Sequence, residues 1–149
     1  MKNIRVAAAE DLSRISEIEI FNYRMNFYPL FQNDEFYFKE LQVPALATRY
    51  EVELGTMWVY DDGCVKGFVQ VVNGQIKKLF VEPVLQGNSI GSKLLKFAVR
   101  EQAGEYLWAL EKNTRAIAFY QRHGFRLTGE KMPEDDTAEY LVRLKLYET

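Results

Sequence analysis

Cysteine is almost missing from this chain of 149 residues: Cys64 stands alone, so no internal disulfide can form, and a reducing compartment is the natural setting. Histidine is equally scarce. With His123 as the single example, no metal-ligating set and no Ser-His or Cys-His nucleophile can be argued, and His123 is read as a surface or helix-capping residue. Charge of one sign is absent too. The 19 Lys and Arg against 21 Asp and Glu leave a net charge of -2, without the basic excess of a nucleic-acid binder, so no nucleic-acid partner is expected. No long apolar run marks a membrane span, and the opening Met1-Lys2-Asn3-Ile4-Arg5-Val6 alternates like a strand and lacks the apolar stretch of a signal peptide. No membrane partner is expected, and the location is read as cytoplasmic. Repeats, linkers and low-complexity tracts are lacking as well, which points to a single domain over residues 1–149.

What is present reads as a regular alternation of elements. Residues 2–7 look like a first strand, and Glu10-Asp11 like the start of a helix with a stripe at Leu12, Ile15, Ile18, Phe21 and Met25. Aromatics then crowd the chain at Tyr23, Phe27, Tyr28, Phe31, Phe36, Tyr37, Phe38 and Tyr50, and Pro29 and Pro44 predict short, interrupted helices there. Strands follow at 57–60, 65–72 and 75–81. They are joined by Asp61-Asp62-Gly63 and Asn73-Gly74, residues that tolerate the positive φ of tight hairpins. Cys64 falls in this apolar pattern and is read as a small buried hydrophobe rather than a reactive thiol. Pro83 cannot donate to a ladder, so pairing should stop near it. A helix over 90–102 carries Ile90, Leu94, Leu95, Ala98 and Val99 inward and ends at Gly104. A strand at 106–110, a helix at 114–123 capped by Asn113 and closed by Gly124, and strands from Phe125 and over 138–147 complete the chain, with the acidic loop Pro133-Glu134-Asp135-Asp136 between the last two. This order predicts an α/β (α+β) fold: one mixed, mostly antiparallel twisted sheet of about seven strands, with helices on both faces.

Two segments carry chemistry. Val81-Glu82-Pro83-Val84-Leu85-Gln86-Gly87-Asn88-Ser89-Ile90-Gly91 runs from a strand into a small-residue turn that opens a helix, which is how a backbone presents free N–H groups to a diphosphate. It is not a nucleotide P-loop, because counting from Gly87 puts Ser92 at the second glycine and Leu94 at the final Ser or Thr. The G-x-G-x-x-G dinucleotide fingerprint is absent as well. Alone, the turn fits an anion site and an ordinary helix start equally. Downstream, the segment from Glu111 to Phe125 places a phenol, Tyr120, on a short helix; by default such a ring is simply packed.

Taken together, Pro-x-x-Gln-Gly-x-x-x-Gly and, one helix and one strand later, Glu-x-Asn-x-x-Ala-x-x-Phe-Tyr-x-x-x-Gly-Phe resemble the GCN5-related N-acetyltransferase (GNAT) superfamily over residues 79–125, and more weakly at Ile4-Arg5-Val6-Ala7. The resemblance implies acetyl-coenzyme A as co-substrate, without a metal. The pyrophosphate would lie on Gln86, Gly87, Asn88, Ser89, Ile90, Gly91 and Ser92, with charge added by Lys93. The pantetheine arm would enter between two splayed strands, the sheet's parallel place, and bond the backbone of Leu79, Phe80 and Val81. Asn113 would cap its helix and reach towards the carrier, with Phe119 alongside as a core anchor. Ser89 departs from the pattern where Gly is usual, and its steric cost at positive φ implies a slightly reshaped carrier site.

On this resemblance the chain is an N-acetyltransferase in which an amine attacks the thioester directly, a backbone N–H around Phe80 to Val81 steadies the oxyanion, and Tyr120 protonates the departing thiolate. The base is unassigned. Glu82 and Glu111 are candidates beside a water chain, since Gln75-Ile76-Lys77-Lys78-Leu79-Phe80-Val81 holds no acid, and at most one of Lys77 and Lys78 should face the site. A small-molecule or peptide amine would bind among the residues from Tyr23 to Tyr50 and the acidic loop Glu134 to Asp136. A homodimer is compatible with the fold. The alternative is a non-catalytic acyl-coenzyme A sensor.

Overall fold

Two tight turns set the sheet in register. In the computed structural model, which describes residues 1–135 and 137–147, Asn73 and Gly74 take φ of 50° and 83° and fold β3 (Val65–Val72) onto β4 (Gln75–Val81). Gly63, with φ of 125° and its N–H on Asp61 Oδ1, turns β2 (Met57–Asp61) into β3. β1 (Ile4–Val6) pairs with β2 from outside. After β4 the chain crosses through α4 (Ile90–Gln102) to β5 (Tyr106–Leu110), and α5 (Thr114–Arg122) leads to the hairpin β6 (Phe125–Pro133) and β7 (Tyr140–Leu146). The seven strands lie in the order β1-β2-β3-β4-β5-β7-β6, antiparallel everywhere except between β4 and β5. This is the mixed α/β sheet that the element order predicts.

Helices cover both faces. On one, Leu94, Leu95 and Ala98 of α4 pack on Val69, Ile76, Leu107 and Leu144, with Tyr120 and Phe119 of α5 at the margin. On the other, α1 (Leu12–Asn26) and α3 (Val43–Tyr50) bring Ile15, Ile18, Leu46 and Tyr50 onto Met57, Val59 and Phe68. Each buried Leu, Ile or Phe contributes about 1.5–3 kcal/mol. Between α1 and α3 lie the single turn α2 (Tyr28–Phe31) and a π-helical stretch (Glu35–Glu40) closed by the Leu41 N–H on the Phe36 carbonyl, the short pieces expected from Pro29 and Pro44. Among the described residues, no helix is long and apolar enough to cross a membrane.

Three local expectations fail for identifiable reasons. Phe21 and Met25 of the supposed α1 stripe are 39% and 60% exposed. Three steps of three residues turn a helix about 180° away from its start, so the face that begins at Leu12 continues instead through Ser16, Glu19 and Asn22, all buried. Gly104 is not the left-handed cap of α4: Ala103 takes that conformation, with φ of 55°. Gly104 is needed for closeness, since a Cβ there would lie 2.9 Å from Ile76 and 3.1 Å from the Ala98 carbonyl. Cys64 is exposed, not buried, because it belongs to the turn between β2 and β3 and precedes the strand, which starts at Val65 as expected.

Candidate functional site

β4 and β5 meet at a single residue pair, Gln75 with Tyr106, and diverge beyond it. The Glu82 N–H bonds the Lys66 carbonyl at 2.9 Å, so strand alternation turns the Phe80 N–H towards β3 and leaves the Leu79 and Val81 N–H groups facing the gap. Of the three implied backbone donors, Phe80 therefore serves the sheet. Its ring packs on the α1 face, edge-on to Tyr23 at 5.6 Å.

The divergence leaves Val81, paired with Gly67 of β3 on one side, without a strand partner on its β5 side, and a side chain replaces it. Asn22 of α1, 3% exposed, donates from Nδ2 to the Val81 carbonyl at 2.9 Å and to Ile18 at 2.8 Å, and its Oδ1 accepts from Gln86 Nε2 at 3.0 Å. One amide thus ties α1, the end of β4 and the start of the loop.

The loop turns through left-handed residues, Gly87 with φ of 96° and Ser89 with φ of 63°. Ser89 accepts that conformation at a steric cost, and its hydroxyl bonds the neighbouring Asn88 carbonyl instead of capping α4. The N–H groups of Gly87, Ser89, Ile90, Gly91 and Ser92 find no acceptor among the described residues, and Lys93, bonded to the Ser89 carbonyl at 3.1 Å, is the first amide that α4 satisfies. Five N–H groups without an acceptor among the described residues, at the positive end of a 13-residue helix, are chemically suited to an anion. Asn88 does not join them: it is exposed, its N–H bonds Leu85, and it lies outside the cleft lining. Lys93 does not join them either, since its ammonium sits over the Tyr60 ring at 5.7 Å.

Across the gap, Asn113 Oδ1 accepts from the Ala116 N–H at 3.3 Å, the expected cap, while its Nδ2 has no partner among the described residues. Tyr120 packs edge-on to Phe119 and Phe125. Its hydroxyl makes no hydrogen bond among the described residues, and burial pushes its pKa up, so the phenol keeps its proton through the physiological range. One cleft of about 1220 Å³ collects Leu79, Phe80, Val81, Gln86, Gly87, Ser89, Ile90, Gly91, Ser92, Asn113, Phe119 and Tyr120.

The cleft continues past a wall of Tyr23, Phe27, Phe31, Phe36 and Tyr37 to Glu134 and Asp135 on the rim; Asp136 is outside the described residues. Burial and the neighbouring Asp135 push the Glu134 carboxyl up. Tyr28 and Phe38 lie outside the wall, with their rings tilted against each other at 4.8 Å. The two sequence-level base candidates are engaged elsewhere, Glu82 with Arg14 at 3.0 Å and Glu111 with Lys131 at 2.9 Å, and neither lines the cleft. The carboxylate that does reach it from the buried core is Glu19, 1% exposed, held by the Tyr50 hydroxyl at 2.6 Å and Lys78 at 3.0 Å, with Lys78 also on the Tyr50 oxygen. Both Lys77 and Lys78 line the cleft, contrary to the expectation that at most one would face it, although only Lys78 reaches the buried carboxylate and Lys77 is exposed. Sequence reading missed Glu19 and Asn22. Following α1 in mixed three- and four-residue steps from Leu12 would have placed both on its buried face. His123 is half-buried at the end of α5 and bridges to Ser92 at 2.9 Å.

The sequence matches the family described as an acetyltransferase (GNAT) domain over residues 53–127, half of the chain. It is 32% identical over 69 residues to the peptidyl-lysine N-acetyltransferase YjaB of Salmonella typhimurium, an alignment covering 46% of this chain and 48% of that one. The chain thus spans about half the length of the curated relatives it matches. In structure it is similar to apo YjaB of Escherichia coli, with TM-score 0.70, 21% identity and 98% and 97% of the two chains covered. The PaiA N-acetyltransferase of Thermoplasma acidophilum, solved with coenzyme A, follows with TM-score 0.69, 18% identity and 97% and 98% coverage. These two likenesses concern the fold.

Proposed function

We propose that this chain, which belongs to the GNAT acetyltransferase family, transfers an acetyl group from acetyl-coenzyme A to an amine. The single observation that carries the reading is the Tyr120 phenol. It is protonated, without a partner among the described residues, and held in the same cleft as the five free N–H groups of the loop. The co-substrate supplies an activated thioester. Its pyrophosphate suits the amides of Gly87 and residues 89–92, and its arm suits the Leu79 and Val81 backbone and the spare Asn113 Nδ2. A neutral amine attacks the carbonyl, the Leu79 or Val81 N–H steadies the oxyanion, and the Tyr120 hydroxyl gives its proton to the departing sulfur. The proton shed by the acceptor leaves through the open cleft to solvent, and Tyr120 takes one back from solvent by the same route.

The aromatic wall and acidic rim suit an amine on an apolar stem, and the relatives' name, peptidyl-lysine N-acetyltransferase, supports a peptide amine. A reducing, cytoplasmic setting suits both a thioester and the exposed Cys64 thiol. Replacing Tyr120→Phe should lower turnover about ten-fold to a thousand-fold and leave coenzyme A affinity nearly unchanged, measured as thiol release over a panel of lysine peptides and small amines. Full activity in that variant removes the role of Tyr120. Tight coenzyme A binding by the wild type with no thiol release on any amine would identify a sensor instead.

A further inference from the structure

Ser92, the third residue of α4, lines the cleft where the free amides gather. Behind it stands His123, tilted against Phe119 with ring centroids 4.7 Å apart. Its Nδ1 lies 2.8 Å from the Phe119 carbonyl and its Nε2 lies 2.9 Å from Ser92 Oγ. A carbonyl only accepts, so Nδ1 carries the hydrogen. In the neutral ring Nε2 is then bare and must accept the Ser92 hydroxyl proton, which leaves Ser92 with lone pairs alone to turn towards the cleft. Phosphate oxygens are acceptors too, so this arrangement offers them nothing. With a proton on Nε2 the bond reverses: Nε2–H donates to Oγ, and the Ser92 O–H is released to donate into the cleft.

We propose that His123 is a positioning residue for the carrier's pyrophosphate, acting through Ser92, and that carrier binding takes up one solvent proton on His123 Nε2. The proposal rests on reading the N-terminus of α4 as the pyrophosphate seat. The charged groups next to Ser92 and His123 in sequence are cations, while the acids of the same elements lie further along, Glu101 nine residues beyond Ser92 on α4 and Glu130 on β6, where it pairs with Arg143 at 3.3 Å. On α4, Lys96 is exposed one turn beyond Ser92, and Lys93 is turned over Tyr60. On α5, Arg122 precedes His123 and lines the cleft with Arg115, and on β6 Arg126 is held over the Tyr147 ring at 5.1 Å. Among the described residues, the polar partners of the ring are Ser92 and the Phe119 carbonyl, and no carboxylate is one of them. The anion that balances a protonated ring is therefore one brought into the cleft, and a hydrogen bond from Ser92 to that anion is of the charge-assisted kind.

The probe is 3′-dephospho-coenzyme A, which keeps the pyrophosphate and lacks the phosphomonoester that itself titrates near pH 6. Calorimetric titrations at about pH 6 and about pH 8, each in two buffers of different ionisation enthalpy, should show wild-type binding roughly tenfold tighter at the lower pH with net proton uptake. His123→Gln and Ser92→Ala should each remove both the pH dependence and the uptake. Wild-type pH dependence surviving in either variant overturns the proposal, as does a wild-type affinity that is flat between the two pH values. The two variants alter different elements, so one that fails to fold leaves the other to decide. Absence of wild-type binding at both pH values overturns the carrier reading, and this proposal with it.

Discussion

Glu19 is a charge placed where water does not reach, and its cost is offset by the two groups that touch it. Lys78 supplies the counter-charge and the Tyr50 hydroxyl supplies a second hydrogen bond. Burial, with the Glu19 charge beside it, pushes the Tyr50 pKa far up, so the hydroxyl remains a donor. Removing one partner of a buried pair is worse than removing both, because it leaves an uncompensated charge. Lys78→Met should therefore destabilise the protein by about 3 kcal/mol in urea unfolding, while the double variant Glu19→Leu with Lys78→Met should recover most of that loss. A single-variant effect below about 1 kcal/mol would show that Glu19 finds solvent or another partner. The cleft lining at Glu19 and Lys78 thus rests on an ion pair and a phenol that no local motif announces.

Between elements, the decisive contact is the Asn22 amide. α1 and β4 are far apart in sequence, yet Asn22 supplies the end of β4 with the donor that β5 would have provided in a continuous sheet. The same side chain holds Gln86, so one amide ties the gap to the loop. Asn22→Asp keeps the shape and removes the donors, setting a carboxylate against the Val81 and Ile18 carbonyls. The loss of hydrogen bonds to buried groups, about 1–3 kcal/mol, should raise KM for acetyl-coenzyme A roughly tenfold with a smaller fall in kcat. Equal falls in kcat at unchanged KM would instead place Asn22 in the chemical step. Because the variant is nearly isosteric, circular dichroism should be unchanged.

At the scale of the whole molecule, the sheet is two antiparallel blocks, β1 to β4 and β5 to β7, joined by one parallel residue pair and by what packs on their faces. A ligand lying between the blocks bridges them and binds only the folded state. Coenzyme A at one hundred times its Kd should stabilise the protein by about 2.7 kcal/mol, which for a chain of this size raises Tm by roughly 5–10 °C. Differential scanning fluorimetry reads this directly, and a Tm indifferent to millimolar coenzyme A would remove the carrier from the cleft.

Much of this was legible in residues alone. Asn73-Gly74, Pro83, the apolar face of α4 and the Asn113 cap are local devices, each acting through φ preference, a missing donor or helical period within a few residues. They are enough to establish the element order, whereas Tyr120 stood out only through the resemblance of its segment to the GNAT motif. What only the tertiary structure decided is long-range. The chain does not state that Phe80 spends its N–H on β3, that Asn88 and Lys93 turn away from the loop's other amides, or that Glu19 and Asn22 face β4 from α1. Each of these depends on which groups meet across many residues of sequence, and burial makes such a meeting energetically decisive without giving it a local pattern.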